Sequence, residues 1–446
     1  MTTTPRSFTV LSLAMAGLWA ACAPTAQAQN LVELYESARA FDASYLSAKL
    51  QYEANLARAE QSRSNVLPTA SLTGTAVRTD FDNSISTALS RPFNTQNATL
   101  SATQPLYRPG NWATYDQSKK QAALARALLD TAEQELIVRT SQTYFDALAS
   151  QDSLTFVKAQ KAAVAEQLAS AKRNFEVGTA TITDTREAQA RYDLVLAQEI
   201  AAENDLRVKK IALDQLVGKQ GTMPHSLSAP PVLRPVEPAD VNTWVLQSEG
   251  EHPGIRQAQS NLEIAQLEVT KAEAGHKPTL DLTGSYNITR NPGGSASTAA
   301  NFRTNTMAIG LSLNVPLFAG YSTQNRIRET LSLSDKARSD LEGARRSVAQ
   351  ATRTAFFGVV SGQGQVKALE AAELSSQSAL DANRLGYQVG VRINIDVLNS
   401  QSQLFQTKRD LAKARYDVLV GGLRLRQANG SLRAEDLQSI NNLLVK

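Results

Sequence analysis

Two periodicities take turns along this chain. In the long stretches, apolar and small residues recur at spacings of three and four. Between residues 321 and 388 the series runs Leu341, Ala344, Val348, Ala351 and Ala355, then Val359, Gly362, Val366 and Leu369. Such spacings mark a coiled-coil face, and the two consecutive steps of four ending at Val359 form a stutter that relaxes left-handed supercoiling. The small knobs predict closely packed helices. Residues 111–177 contain neither Gly nor Pro. At 1.5 Å per residue they predict one helix of roughly 100 Å, well beyond the length of a globular helix. Residues 30–67 also lack both breakers and end at Pro68, which predicts a further helix before it.

Shorter stretches alternate with period two. Leu280, Leu282, Tyr286 and Ile288 alternate with Thr279, Asp281, Thr283, Ser285 and Asn287. Met307, Ile309, Leu311, Leu313 and Val315 alternate with Thr306, Ser312 and Asn314. Ala70, Leu72 and Ala76, and likewise Ala98, Leu100 and Ala102, alternate with Thr and Ser. These predict four strands, about 69–79, 97–107, 279–289 and 304–316, each apolar on one face. About 10 tilted residues cross the ~25 Å apolar band of an outer membrane. The stretches 80–96 and 289–303 are rich in Asn, Ser, Thr and Gly, as exposed barrel loops are. Tyr107, Trp112 and Phe318 sit just past strand ends, where an aromatic girdle belongs. Four strands cannot close a barrel, since about eight is the minimum, and open strand edges are not tolerated in lipid. A membrane barrel therefore needs several chains, and a wide pore favours three over two.

The pattern occurs twice. Pro68-Thr-Ala-Ser-Leu-Thr-Gly74 matches Pro278-Thr-Leu-Asp-Leu-Thr-Gly284, and Gln104-Pro105-Leu106-Tyr107 matches Val315-Pro316-Leu317-Phe318. Thr143-Tyr144-Phe145 matches Ala355-Phe356-Phe357. Phe175-Glu-Val-Gly178 through Asp184 matches Tyr387-Gln-Val-Gly390 through Asp396. Four matches in the same order predict a duplicated helix, strand, strand, long helix, helix unit, over 29–218 and 241–428. A Pro-rich linker, 219–240, joins the units, and a tail, 429–446, follows. Gly178 and Gly390 suit a left-handed helix exit. Asp184 and Asp396 lie near the start of the next helix. Each copy of the motif predicts a tight turn between antiparallel helices.

Composition narrows the setting. Residues 1–28 read as a secretory signal peptide, with Arg6, an apolar run from Phe8 to Ala21, and Ala26-Gln-Ala28 as cleavage site. The only cysteine, Cys22, lies inside it, so the mature chain is expected to hold no disulfide. Leu18-Trp-Ala-Ala-Cys22 also faintly resembles a lipoprotein cleavage site. The net charge of +4 gives no argument for nucleic acid. His225, His252 and His276 have no neighbours at metal-ligand spacing. No G-x-S-x-G, P-loop or H-E-x-x-H occurs, so neither enzyme nor cofactor is expected. Gly358, Gly362 and Gly364, inside a long helix, predict a hinge or a close helix contact.

These motifs together resemble the TolC family of outer-membrane efflux and type I secretion channels. The matching stretches are Asn30-Leu-Val-Glu-Leu-Tyr35, Leu67-Pro68, Phe175 to Asp184, Gly275-His-Lys-Pro-Thr-Leu-Asp-Leu-Thr283, Arg346-Ser-Val348 and Tyr387 to Leu398. The resemblance covers about residues 29–446. It implies a homotrimer, mainly α, whose chains share one 12-stranded membrane β-barrel and a long α-helical periplasmic tunnel. It implies a periplasmic adaptor and an inner-membrane pump, of RND or ABC type, as partners. It also implies a gate at the periplasmic tip, with Asp184 hydrogen-bonded to Tyr387 and paired with Arg392, and Thr183 touching Arg392. Some of those links would run between chains. Two rings of aspartates would line the aperture. Asp396 matches the first, while Asn399 stands at the second, which puts strong cation selectivity in doubt. The alternative is a periplasmic adaptor of the same machines, though an adaptor has no need of four membrane-length strands.

Overall fold

Two helices of nearly equal length run through the molecule. They are α3, Pro109–Glu176, and α7, Ser322–Gln388, of 68 and 67 residues. The computed structural model describes residues 29–82, 84, 90–228 and 235–445. The expected signal peptide with Cys22, and Pro230 and Pro231 of the linker, lie outside the described residues. Ahead of α3 come α1 (Leu31–Phe41), α2 (Ala43–Arg63) and strands β1 (Thr69–Phe81) and β2 (Arg91–Tyr107). After it comes α4 (Ile182–Val217). The same order follows: α5 (Val241–Glu251), α6 (Pro253–Glu273), β3 (Thr279–Asn291), β4 (Phe302–Asn314), α7, and α8 (Asn394–Asn429). A short α9 (Asp436–Asn441) lies in the tail.

The first expected helix is broken at Asp42, which has an extended backbone and caps α2 by accepting from the Tyr45 amide at 2.8 Å. Its carboxylate also receives Arg139 of α3 at 2.6 Å. His252 makes the corresponding break, its ring accepting from the Gly254 amide at 3.0 Å. At Asp42 the capping side chain divides the helix without Gly or Pro, because it offers an amide an alternative to the helical carbonyl, whereas at His252 the following Pro253 also turns the chain out of the helix.

The packed face of α7 also departs from the apolar pattern. Ala351 is exposed, whereas Thr352 is fully buried, its hydroxyl 2.9 Å from the Val348 carbonyl and 2.8 Å from that of Ala428 in α8. The stutter therefore falls between Val348 and Thr352. A threonine can occupy a seam when a carbonyl across the interface meets its hydroxyl. Of the three helix glycines, only Gly362 marks a close contact. A Cβ there would sit 2.9 Å from Val418 of α8, while Gly358 and Gly364 have open space.

The largest core lies at mid-rod. Leu31, Leu34 and Tyr35 of α1 pack with Leu136, Ile137, Tyr144 and Phe145 of α3 and Val420 of α8. Leu437, Ile440 and Leu444 of the tail close it. Residues after α4 are tied to the tail by Val445 donating to the Ser226 carbonyl at 2.9 Å. In the second half, Phe356 is buried against Trp244 of α5, but Phe357 remains 57% exposed.

The strands form one antiparallel sheet in the order β1-β2-β3-β4. Register places Leu72, Leu100, Tyr286 and Met307 in one row. The adjacent row, on the other face, is Thr73, Thr99, Asn287 and Thr306. β2 begins at Arg91 rather than near 97, because its hydrogen bonding to Ala76–Phe81 continues where the apolar alternation has stopped. β4 ends at Asn314 rather than 316, because β3 offers no partner beyond Thr279. Arg108 clamps the base of the sheet, its guanidinium donating to both carboxylate oxygens of Asp281 at 2.8 and 2.5 Å. Among the described residues, no helix is long and apolar enough to cross a membrane.

Candidate gate at the helix-hairpin tips

Both hairpins turn in the same way. Val177 (φ −89°, ψ 2°) and Val389 (φ −90°, ψ 2°) end α3 and α7. Gly178 and Gly390 then take φ of 78° and 81°, where a side chain would strain the backbone. In the first turn the amides of Thr179 and Ala180 donate to the Asn174 carbonyl. In the second those of Val391 and Arg392 donate to the Gly386 carbonyl, at 2.9 and 3.1 Å. Exit carbonyls that a helix leaves free are thereby satisfied.

The entries to the next helices differ. Asp184 occupies the third position of α4 and forms a capping box with Thr181. Its carboxylate accepts from the Thr181 amide at 3.0 Å and from its hydroxyl at 2.8 Å, while the Asp184 amide donates back to that hydroxyl at 3.2 Å. Asp396 holds the same position in α8, but the cap residue is Ile393, which has no side-chain acceptor. Asp396 instead meets Arg392 at 3.6 Å. Gly386 makes room for that arginine, since a Cβ there would lie 2.7 Å from the Arg392 Cγ.

Within one chain the implied gate links are not made. Among the described residues, Asp184 bonds neither Tyr387 nor Arg392. The Tyr387 hydroxyl accepts from Asn174 at 3.3 Å. Thr183 is exposed. Asn399 accepts from Arg191 of α4 at 2.7 Å, so a cation stands beside the position where the resemblance implied a carboxylate ring.

One residue of the tip escaped the reading of the sequence. Asn394, the first residue of α8, is fully buried. Its amide donates to the Asp184 carbonyl at 3.3 Å and its oxygen accepts from Gln167 of α3. It joins the two hairpins of one chain. The only signal was an Asn inside the apolar run Ile393–Ile395. Around the turns, Phe175, Val177, Ile182, Leu385, Val389, Val391 and Ile393 are exposed.

A sheet with one apolar face, carried on two helices about 100 Å long, is the architecture of an outer-membrane channel protein. A family model described as outer membrane efflux protein matches residues 34–219 and 244–431. The chain belongs to this outer membrane efflux protein family, whose members include the TolC channels of the Gram-negative outer membrane. It is 32% identical to the outer membrane protein TolC of Vibrio cholerae, over 93% of each chain. It is 30% identical to the alkaline protease secretion protein AprF of Pseudomonas aeruginosa, over 93% of this chain and 87% of that one. The outer membrane protein VceC of Vibrio cholerae shares the fold with a TM-score of 0.77 at 18% identity, covering 90% of this chain and 96% of the other. These relatives are channel proteins, not enzymes, and the adaptor alternative is not favoured.

Proposed function

We propose that three copies of this chain share one 12-stranded barrel and a continuous α-helical tunnel. The assembly is an exit duct for tripartite drug efflux, type I protein secretion, or both. The observation that carries this reading is the sheet. Its four strands have one apolar face, and β1 and β4 each have a hydrogen-bonded neighbour on one side only. Such edges need partners in lipid. Two successive matches to one family model support a duplicated unit, as do the equivalent turns and the equivalent breaks at Asp42 and His252. The unit boundaries are 29–218 and 241–428, with 219–240 and 429–446 as equatorial segments and 1–28 as signal peptide.

The tunnel is closed at the periplasmic tip by polar links between hairpins. Asp184 pairs with Arg392 and Tyr387 of an adjoining copy, and Thr183 contributes to the same contact. Charge-assisted links of this kind are strong where water is excluded and still exchangeable. A periplasmic adaptor and an inner-membrane pump of RND or ABC type supply the opening. The exposed apolar residues at the turns suit adaptor docking, and the partner must bind the open state better than the closed one. Asp396 forms one carboxylate ring at the aperture.

The test is single-channel current in a planar bilayer, comparing native protein with the Arg392→Glu, Tyr387→Phe double variant. A small native conductance that rises in the variant is expected. Folded protein that never inserts would overturn the channel, and an unchanged current from an assembled variant would overturn the gate.

A further inference from the structure

The two hairpins of the sheet carry one register. Thr69 faces Thr103 in the first, and Thr279 faces Asn314 in the second. The Pro68–Gly74 motif recurs 210 residues on, at Pro278–Gly284, and Pro105-Leu106 recurs 211 residues on, at Pro316-Leu317. Those displacements carry the first set of pairs onto the second. Ala76 facing Gln96, for example, becomes Tyr286 facing Met307. The seam between β2 and β3 has no such counterpart inside the chain. Its counterpart is β4 against the β1 of another copy. Both of those edges are free, and β4 is exposed along its whole length. Past its end, Leu317 and Phe318 are 93% and 76% exposed.

We infer that β4 of one copy pairs antiparallel with β1 of the next in the register those displacements dictate. Ser101 facing Ser285 becomes Ser312 facing Thr75 of the next copy, and Ala102 facing Gly284 becomes Leu313 facing Gly74. Leu311 then faces Ala76, and Val315 faces Leu72. Apolar residues meet apolar ones on one face, and Ser312 and Asn314 lie among Thr73 and Thr75 on the other. A slip of one residue would turn every side chain to the wrong face. A slip of two keeps the faces but loses the bulge. Pro105 has no N–H to donate, and the β2–β3 ladder bulges at Leu106, so that Pro105 faces Asp281 and Tyr107 faces Leu280. The same bulge at Leu317 sets Pro316 against Ser71 and Phe318 against Ala70. The clamp within the chain has no equivalent at this seam, because Ala319 and Ser71 replace Arg108 and Asp281. The seam between copies therefore lacks the ion pair that closes the seam inside the chain.

The inference rests on the shared barrel proposed above, and the test separates the two. Full-length protein with Cys22→Ser is given the pairs Ser312→Cys with Thr75→Cys, or Leu313→Cys with Gly74→Cys. Successive pairs alternate in type, so one of these is the closer, non-hydrogen-bonded kind. Ser312→Cys with Thr73→Cys or with Val77→Cys represents slips of two, at diagonal distances of roughly 7–8 Å. The pairs Ser101→Cys with Ser285→Cys, and Ala102→Cys with Gly284→Cys, report the seam inside the chain. Oxidation in the outer-membrane fraction is followed on a denaturing gel. Covalent multimers from at least one predicted pair, forming about tenfold faster than from either slipped pair, are expected from disulfide geometry. Faster multimers from a slipped pair would overturn the register and leave the shared barrel standing. No multimers from any pair, while an in-chain pair closes, would overturn both.

Discussion

The two hairpin turns share a backbone and differ in what that backbone leaves free. Their Val and Gly dihedrals agree within a few degrees. Thr181 of the first turn engages Asp184 in a capping box, while Ile393 of the second has no side-chain acceptor and meets the Asp396 amide only through its carbonyl, at 3.2 Å. Asp396 therefore meets Arg392, and the Arg392 stem lies across Gly386, where the first turn has Asn174. Asn174 in turn donates to Tyr387. A glycine-driven turn prescribes a path, and the neighbouring cap decides whether the acidic residue is a structural cap or an available charge. For Asp184 to reach a neighbouring Arg392, it must share or exchange its capping bonds, which gives the proposed gate a local cost at one hairpin only.

The comparison can be broken at several points. The Arg392→Glu, Tyr387→Phe variant carries the largest expected effect, a several-fold rise in single-channel conductance, because it both removes the links to Asp184 and repels it. Next is Asn394→Leu. It leaves the Gln167 amide and the Asp184 carbonyl without their buried partner, at a cost of about 1–3 kcal/mol. Faster hydrogen exchange at the start of α8 and a higher open fraction in bilayers are expected; unchanged exchange would show that the amide bridge does not hold the hairpins together. Thr181→Ile gives the first turn the second turn's cap. It should cost about 1 kcal/mol at the start of α4 and free Asp184. If Asp184 then pairs more firmly with Arg392, conductance falls below native; a rise would show that the capping box itself keeps the tip closed. The reciprocal Ile393→Thr should draw Asp396 into a box and away from Arg392, seen as slower exchange at the residue 393 amide, from which the Asp396 carboxylate would then accept. Asn399→Asp is the smallest. Arg191 already stands 2.7 Å from that position, so a new carboxylate would be partly neutralised. A modest shift of reversal potential toward cations under a salt gradient is expected, and no shift would remove Asn399 from the aperture.

Much of the fold was legible because it rests on local periodicity. The length of α3, the four alternating strands and the two glycine turns follow from spacing alone. What was missed involved polar residues with distant partners. Asp42 divides a helix by capping it, Thr352 takes a seam position by meeting the Ala428 carbonyl, and Asn394 is buried because Gln167 and Asp184 satisfy it. Each looks like a surface residue until its partner is placed. At the candidate gate, the turns and their residues were legible, but the pairings were not. Asp184 finds its nearest acceptors and donors three residues away, which no motif match between chains reveals.

By itself, the sequence determined the lengths of α3 and α7, the four alternating strands, the apolar face of the sheet and the two glycine turns, and on it rests the proposal that partner chains complete the sheet's edges in lipid. Tertiary structure decided which polar groups are used up. It locked Asp184, left Asp396 to Arg392, set Arg191 against Asn399 and buried Asn394 between the hairpins. The reason is physical. Periodicity is a property of the chain and survives in any one-dimensional reading, whereas a hydrogen bond depends on which donor arrives within about 3 Å of which acceptor, and only packing settles that.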